Sequence, residues 1–210
     1  MPTDPSTPVS ASRGRPRSDR SKQAILRATT EILEERGFTA LTIEEIADRA
    51  GVGKATVYRW WSSKGTLAFD AFGARFLERH PLPDTGSLEG DLLAALRSWI
   101  SVVNGTTTGR VLAGLVAEVQ RDPELADEWP QRFVNVVRAQ QMIMIERAIA
   151  RSEISADCDA NVVLDLLYGP AYHRLLHSHL PLTDEFAQHV VEIIVRGLTA
   201  EGVETHGGRL

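Results

Sequence analysis

A chain of 210 residues, 43% hydrophobic and 24% charged, can bury a core in one or two domains. It holds no run near the roughly 18 apolar residues of a membrane span and no apolar segment after its N-terminal arginines. Its single cysteine, Cys158, excludes an internal disulfide and suits a reducing cytoplasm. The net charge of −5 is uneven: residues 13–64 carry 11 Lys/Arg against 7 Asp/Glu, and residues 65–210 carry 12 against 20. A basic head on an acidic body sends only the head toward phosphate, although many enzymes share such an asymmetry.

Residues 1–12 are rich in Pro, Ser and Thr with little to bury, and residues 1–17 are expected to form a disordered basic arm. Arg13-Gly14-Arg15-Pro16-Arg17 sets arginines along an extended Gly/Pro-stiffened segment, which suits a narrow, electronegative minor groove; a plain basic tail has the same composition. Helical periodicity begins near Ser21, with Ile25, Ala28, Ile32 and Leu33 on one face and Gly37 as the stop. Thr42-Ile43-Glu44-Glu45 reads as a capping box opening a short helix that ends near Ala50, before Gly51. A third helix is predicted over Lys54–Trp61. A fourth, capped by Ser63, runs through Leu67, Phe72 and Phe76 toward Pro81 and Pro83. Further helices are expected over roughly 88–103, 109–121, 130–152, 159–178 and 183–199, broken at Gly86, Asn104-Gly105, Asp122-Pro123, Pro130 and Pro181. No strand or hairpin pattern appears, so the fold class is all-α: a helix-turn-helix head over 18–64 and a larger helical body over 65–204.

The stretch Thr42–Lys64 carries the chemistry. Ala47 is small where two helices must approach, and Gly51 stands where the turn needs a positive φ. Val57, with Ile43, Ile46 and Val52, plugs the core between the two helices. This leaves Lys54, Ala55, Thr56, Tyr58 and Arg59 facing outward on a helix slim enough for a major groove. Thr56 and Arg59 suit base edges; Lys54, Tyr58 and Lys64 suit phosphates.

The ordered set Ala28, Gly37, Thr42, Ile46-Ala47, Ala50-Gly51-Val52, Thr56-Val57-Tyr58, Lys64 and Leu67 resembles the TetR family of one-component repressors. The resemblance implies DNA contacts at Thr42, Lys54, Thr56, Tyr58 and Lys64, and a minor-groove role for Arg13, Arg15 and Arg17. Gly53 departs from the hydroxylated residue common there, and Arg59-Trp60-Trp61 departs from the usual aromatic, histidine and phenylalanine. Trp61 is expected in the core and Trp60 against the DNA backbone.

In TetR-like proteins the last two helices pair with their symmetry mates as a four-helix bundle. That resemblance places the dimer interface at Val162, Leu166, Gly169, His173, Phe186, Val190, Ile193 and Ile194. Gly169-Pro170 inside the first of these helices frees a carbonyl and lets backbones approach. A ligand pocket is sought among aromatic and soft residues of the middle helices: Trp99, Val103, Leu115, Phe133, Met142, Met144 and Tyr168. Such a stripe also describes an ordinary core. His173 and His177 share a helical face, yet no Glu-x-x-His pattern supports a metal, and neither metal nor cofactor is expected. Nucleophile-elbow, phosphate-loop and dinucleotide fingerprints are absent, so no enzyme is expected. The partners that follow are a pseudo-palindromic double-stranded operator, a second copy of the chain and a small apolar or amphipathic effector. A sequence-tolerant architectural DNA protein, or an activator, fits the same residues.

Overall fold

The first helix is held by an apolar stripe: Ile25, Ala28, Ile32 and Leu33 are all buried. A computed structural model describes residues 15–199, with side chains from 18 to 198; Arg13 lies outside the described residues. Helix α1 spans Arg15–Arg36, starting earlier than the periodicity suggests. Pro16 falls in its first turn, where its missing N–H is one that no helix would have used. Arg15 and Arg17 are therefore helical, which corrects the extended reading of that segment. Gly37, at φ +77°, closes the helix by donating to Leu33 O at 3.0 Å.

Helices α2 (Ile43–Ala50), α3 (Lys54–Tyr58) and α4 (Lys64–Arg79) follow. The third is shorter than expected because the chain tightens after Tyr58, with the amides of Trp60 and Trp61 both donating to Val57 O. Ser63 caps α4 reciprocally: its Oγ accepts from Thr66 N at 3.2 Å, and its own amide donates to Thr66 Oγ1 at 3.3 Å. Leu67, Phe69, Phe72 and Phe76 bury the inner face of α4. Since α4 packs both on α1 and on the body along its length, it belongs to both halves.

The body comprises α5 (Leu88–Val103), α6 (Thr107–Val119), α7 (Pro123–Trp129), α8 (Asn135–Ala150), α9 (Ala160–His177) and α10 (Asp184–Thr199). The break expected at Asp122-Pro123 is present between α6 and α7, but it also opens α7, a helix not expected, with Asp122 Oδ1 accepting from Glu124 N at 2.9 Å and Pro123 in the first turn. Pro130, also expected as a break, does not interrupt the helical run. It begins a π-helical turn over Pro130–Val134, where Asn135 N reaches back five residues to Pro130 O, and α7 passes into α8 without a loop. A proline cannot supply the i→i−4 donor, and widening the turn avoids an interruption. Helix α9 likewise runs through Pro170. Helix α10 lies against α5 and α9. Among the described residues there is no strand, and no helix is long and apolar enough to cross a membrane.

Candidate DNA interface and regulatory site

The head is built around a left-handed residue. Gly51 sits at φ 66°, ψ 36° and its amide closes α2 on Ala47 and Asp48. The chain can then turn α3 across α2 so that Val57 inserts, fully buried, beside Ile46 and Ala47. Any side chain at Gly51 would be strained whatever the space around it. Thr42 caps α2 as expected, its Oγ1 accepting from Glu45 N at 3.3 Å. The reciprocal half of that box is not made. Glu45 turns instead to Arg36 and to Arg49, the latter at 3.2 Å. Two guanidinium partners outcompete one backbone amide, because charge-assisted bonds are the stronger.

Opposite the core, Thr42, Lys54, Ala55, Tyr58, Arg59 and Trp60 are exposed, while Thr56 and Lys64 are half-buried. Three of these cations are already engaged. Lys54 pairs with Glu44, Lys64 lies 4.7 Å from the centre of the Phe38 ring, and Arg59 lies 5.7 Å from that of Trp60. Lys22 of α1, which the motif does not single out, sits 5.3 Å from the same Trp60 ring. Trp61 is 2% exposed and fills the core, and its indole N–H donates to Asp70 Oδ2 at 2.8 Å.

Asp70 ties the head to the body. Beyond Trp61, it accepts from Arg132 Nη1 at 3.2 and 3.3 Å, and Arg132 also donates to Glu128 at 2.6 Å. Arg132 lies in the π-helical turn. Alongside runs a line of rings: Phe69 with Trp129 at 4.9 Å, Trp129 with Phe133 at 4.5 Å, Phe133 with Phe76 at 5.4 Å, and Phe76 with His80 at 5.3 Å. Ring pairs at such spacings contribute beyond their buried area.

That line ends at the buried polar cluster of the body. His80 Nδ1 is 2.9 Å from Ser98 Oγ, and its Nε2 is 3.4 Å from both Gln141 Nε2 and Tyr168 Oη. Gln141 donates to Tyr168 Oη at 2.8 Å. Burial lowers the His80 pKa to about 4, so the ring is neutral at physiological pH, and burial raises that of Tyr168. Beside the cluster lies a void of about 10 Å³, lined by His80, Gln141, Leu77, Leu82, Val137 and Met144 among others. It has room for about one water. Of the expected pocket residues, Tyr168 belongs to the cluster and Met144 to the void wall. Trp99, Val103, Leu115 and Phe133 are close-packed core, and Met142 is half-buried against it. The cavity expected among them is filled by ring-on-ring packing, such as Trp99 against Tyr172 at 5.1 Å. Sequence reasoning missed His80, Ser98 and Gln141. Gln141 was detectable, since it interrupts the buried stripe Val137, Met144, Ile145 and Ala148 at helical spacing.

The expected dimer residues divide. Val162, Leu166 and Ile193 are 51, 53 and 72% exposed, and Gly169 and His173 are also exposed. Phe186, Val190 and Ile194 are buried within the chain, because α10 turns that side onto α5 and α9. Val190 and Ile194 still reach the edge of an apolar groove of about 550 Å³ between α9 and α10, lined also by Val162, Leu166, Pro170 and Ile193. A Cβ built on Gly169 would meet nothing within 4 Å in the single chain.

A short, exposed helix held by a glycine turn on a three-helix head, joined to a helical body, defines a helix-turn-helix transcriptional regulator. Residues 25–71 match the bacterial regulatory proteins of the tetR family, and residues 82–194 match the tetracyclin repressor-like C-terminal domain. The chain belongs to the TetR family, whose members bind operator DNA and act as dimers, and it is not an enzyme. It is 35% identical over 192 residues to the uncharacterized HTH-type transcriptional regulator YdeS of Bacillus subtilis (strain 168), covering 91% of this chain and 96% of that one. It is 27% identical over 192 residues to the DNA-binding transcriptional repressor TetR of Mycobacteroides abscessus, covering 89% and 97%. The crystal structure of the TetR family transcription regulator SCO0332 superposes with a TM-score of 0.78 at 35% identity, covering 85% of this chain and 98% of that one.

Proposed function

We propose that the protein is a cytoplasmic repressor that binds a pseudo-palindromic operator as a homodimer and is released by a small, neutral, amphipathic effector. The observation that carries this reading is the path of α4. One rigid helix begins at Lys64 beside the candidate DNA face and ends at the His80 cluster. A molecule that wedges the cluster open moves the far end of a helix whose near end sets the head. The cluster offers hydroxyl, carboxamide and uncharged imidazole groups within an apolar wall. This chemistry suits a hydroxyl or carbonyl on an apolar frame better than a carboxylate, which would be buried without a cation. Such a molecule enters by displacing Leu82 and Met144.

On the head, Arg59→Ala is expected to cost about 1–3 kcal/mol on a site selected from random DNA and little on random duplex, whereas Lys64→Ala weakens both alike. Equal losses for Arg59→Ala on every sequence would remove its base-reading role. For the switch, linkage requires that an effector which weakens operator binding be weakened by operator in the same ratio, about 5–150-fold for a coupling of about 1–3 kcal/mol. Calorimetry with a releasing compound, with and without operator, measures this. Equal affinities would end the ligand-responsive reading and leave DNA binding untouched.

A further inference from the structure

A DNA face gains little from an exposed carboxylate, yet this one has two. Glu44 is the second residue of α2, and Asp48 follows one turn later on the same side. The Glu44 carboxylate and the Lys54 ammonium form an ion pair in which the two side chains are 61 and 54% exposed. Asp48 adds to the negative field at Lys54. The pairing holds the Glu44 carboxyl below, and the Lys54 ammonium above, its ordinary range. An exposed pair of this kind stabilises a fold little. Its larger effect falls on whatever anion competes for the ammonium, and at this surface that anion is DNA phosphate.

We propose that Glu44 is a specificity-determining residue that keeps Lys54 from phosphate in non-cognate contacts. The inference rests on reading the exposed side of α3 as the DNA face. When the head rests on arbitrary DNA, only long cations at the rim touch the backbone, and the gain from one more phosphate must first break Glu44–Lys54. When Thr56 and Arg59 find their bases, α3 seats fully, the contacts around Lys54 are made together, and the pair opens. Glu44 therefore weakens loose binding more than seated binding. It acts through Lys54 as a positioning residue and reads no base itself.

The test compares the full-length wild type with Glu44→Gln, Lys54→Gln and the double variant. One probe is a randomised duplex about two helical turns long, and the other is a duplex of that length selected by the wild type. Freeing one phosphate contact per subunit steepens the log–log salt dependence by about 1.8 for the dimer. On random duplex, Glu44→Gln should therefore bind on the order of tenfold tighter at about 100 mM salt, with that steeper slope. On the selected duplex the gain should be smaller, so the specificity ratio falls. In the double variant the gain should vanish, because no Lys54 remains to release. Unchanged affinity and slope on random duplex would overturn the proposal, as would an equal gain on both duplexes. So would a lowered unfolding midpoint without a gain in DNA affinity, which marks a merely structural pair. A wild-type chain that does not bind the randomised duplex and enriches no sequence from it would overturn the DNA-face reading itself, and this inference with it.

Discussion

Ile193→Glu is expected to leave the protein monomeric at micromolar concentration and to erase its footprint on DNA. Ile193 is the most exposed of the large apolar side chains described, at 72%, and it borders the groove between α9 and α10. Burying an isoleucine is worth about 1.5–3 kcal/mol. A two-fold interface counts each substitution twice, so loss of both side chains alone weakens association by roughly 10²–10⁴-fold. The new carboxylates would also meet apolar helices without a cation among the groove residues, which adds to the loss. DNA binding then falls further, because two linked heads gain about 10²–10⁴ in avidity over one. Ile193→Val, which keeps the apolar edge, should remain dimeric. Sedimentation velocity and footprinting on a selected site check both variants. A wild-type monomer at micromolar concentration would refute the proposed interface.

A second large effect is expected from pH. Burial holds the His80 pKa at about 4 in the folded chain, against about 6.5 when unfolded. Between those values the unfolded chain binds the proton and the folded one does not, so stability rises with pH across this window. The contribution is complete above about pH 6.5 and is lost progressively on acidification to about pH 4. A shift of this size corresponds to about 3 kcal/mol. The carboxylates with lowered pKa values, among them Glu153 and Asp184, lose their contributions below their own unfolded values, and so at lower pH than His80 begins. His80→Gln should therefore flatten the unfolding midpoint between about pH 6.5 and 4.5 while leaving the steeper acid limb in place. Equal slopes for wild type and variant over that window would show that His80 titrates normally.

The head was legible in the sequence because its constraints are local. Gly51 is required by one backbone dihedral, Ala47 by one close approach, and Val57 by helical spacing; each lies within a few residues of what it serves. Most of α4, α5, α9 and α10 was legible for the same reason, since the cap at Ser63, breaks such as Gly86 and Pro181 and stripes of period near 3.6 are short-range signals. Pro130 misled the reading, because tertiary packing kept the chain helical there. The break at Asp122-Pro123 is present but is followed at once by α7, and Pro130 is absorbed by a π-helical turn whose Phe133 packs on Phe72 and Phe76.

By itself, the sequence determined the fold class, the helix-turn-helix and most of the residues that stay outside it, Thr56 being half-buried. Each follows from periodicity, glycine conformation and side-chain size read along a few turns. Only the tertiary structure decided which buried polar groups meet, because His80, Ser98, Gln141 and Tyr168 come from four separate segments and hydrogen bonds between them have no sequence period. It also decided which cations are held before DNA arrives: Glu44 and Lys54 are ten residues apart, and only the turn at Gly51 brings their charges together. Finally, it separated the faces of α10, since the same apolar spacing serves Phe186, Val190 and Ile194 inside the chain and Ile193 outside it. Hydrophobic periodicity shows that a helix has an apolar side; only packing shows which part of that side the chain itself covers.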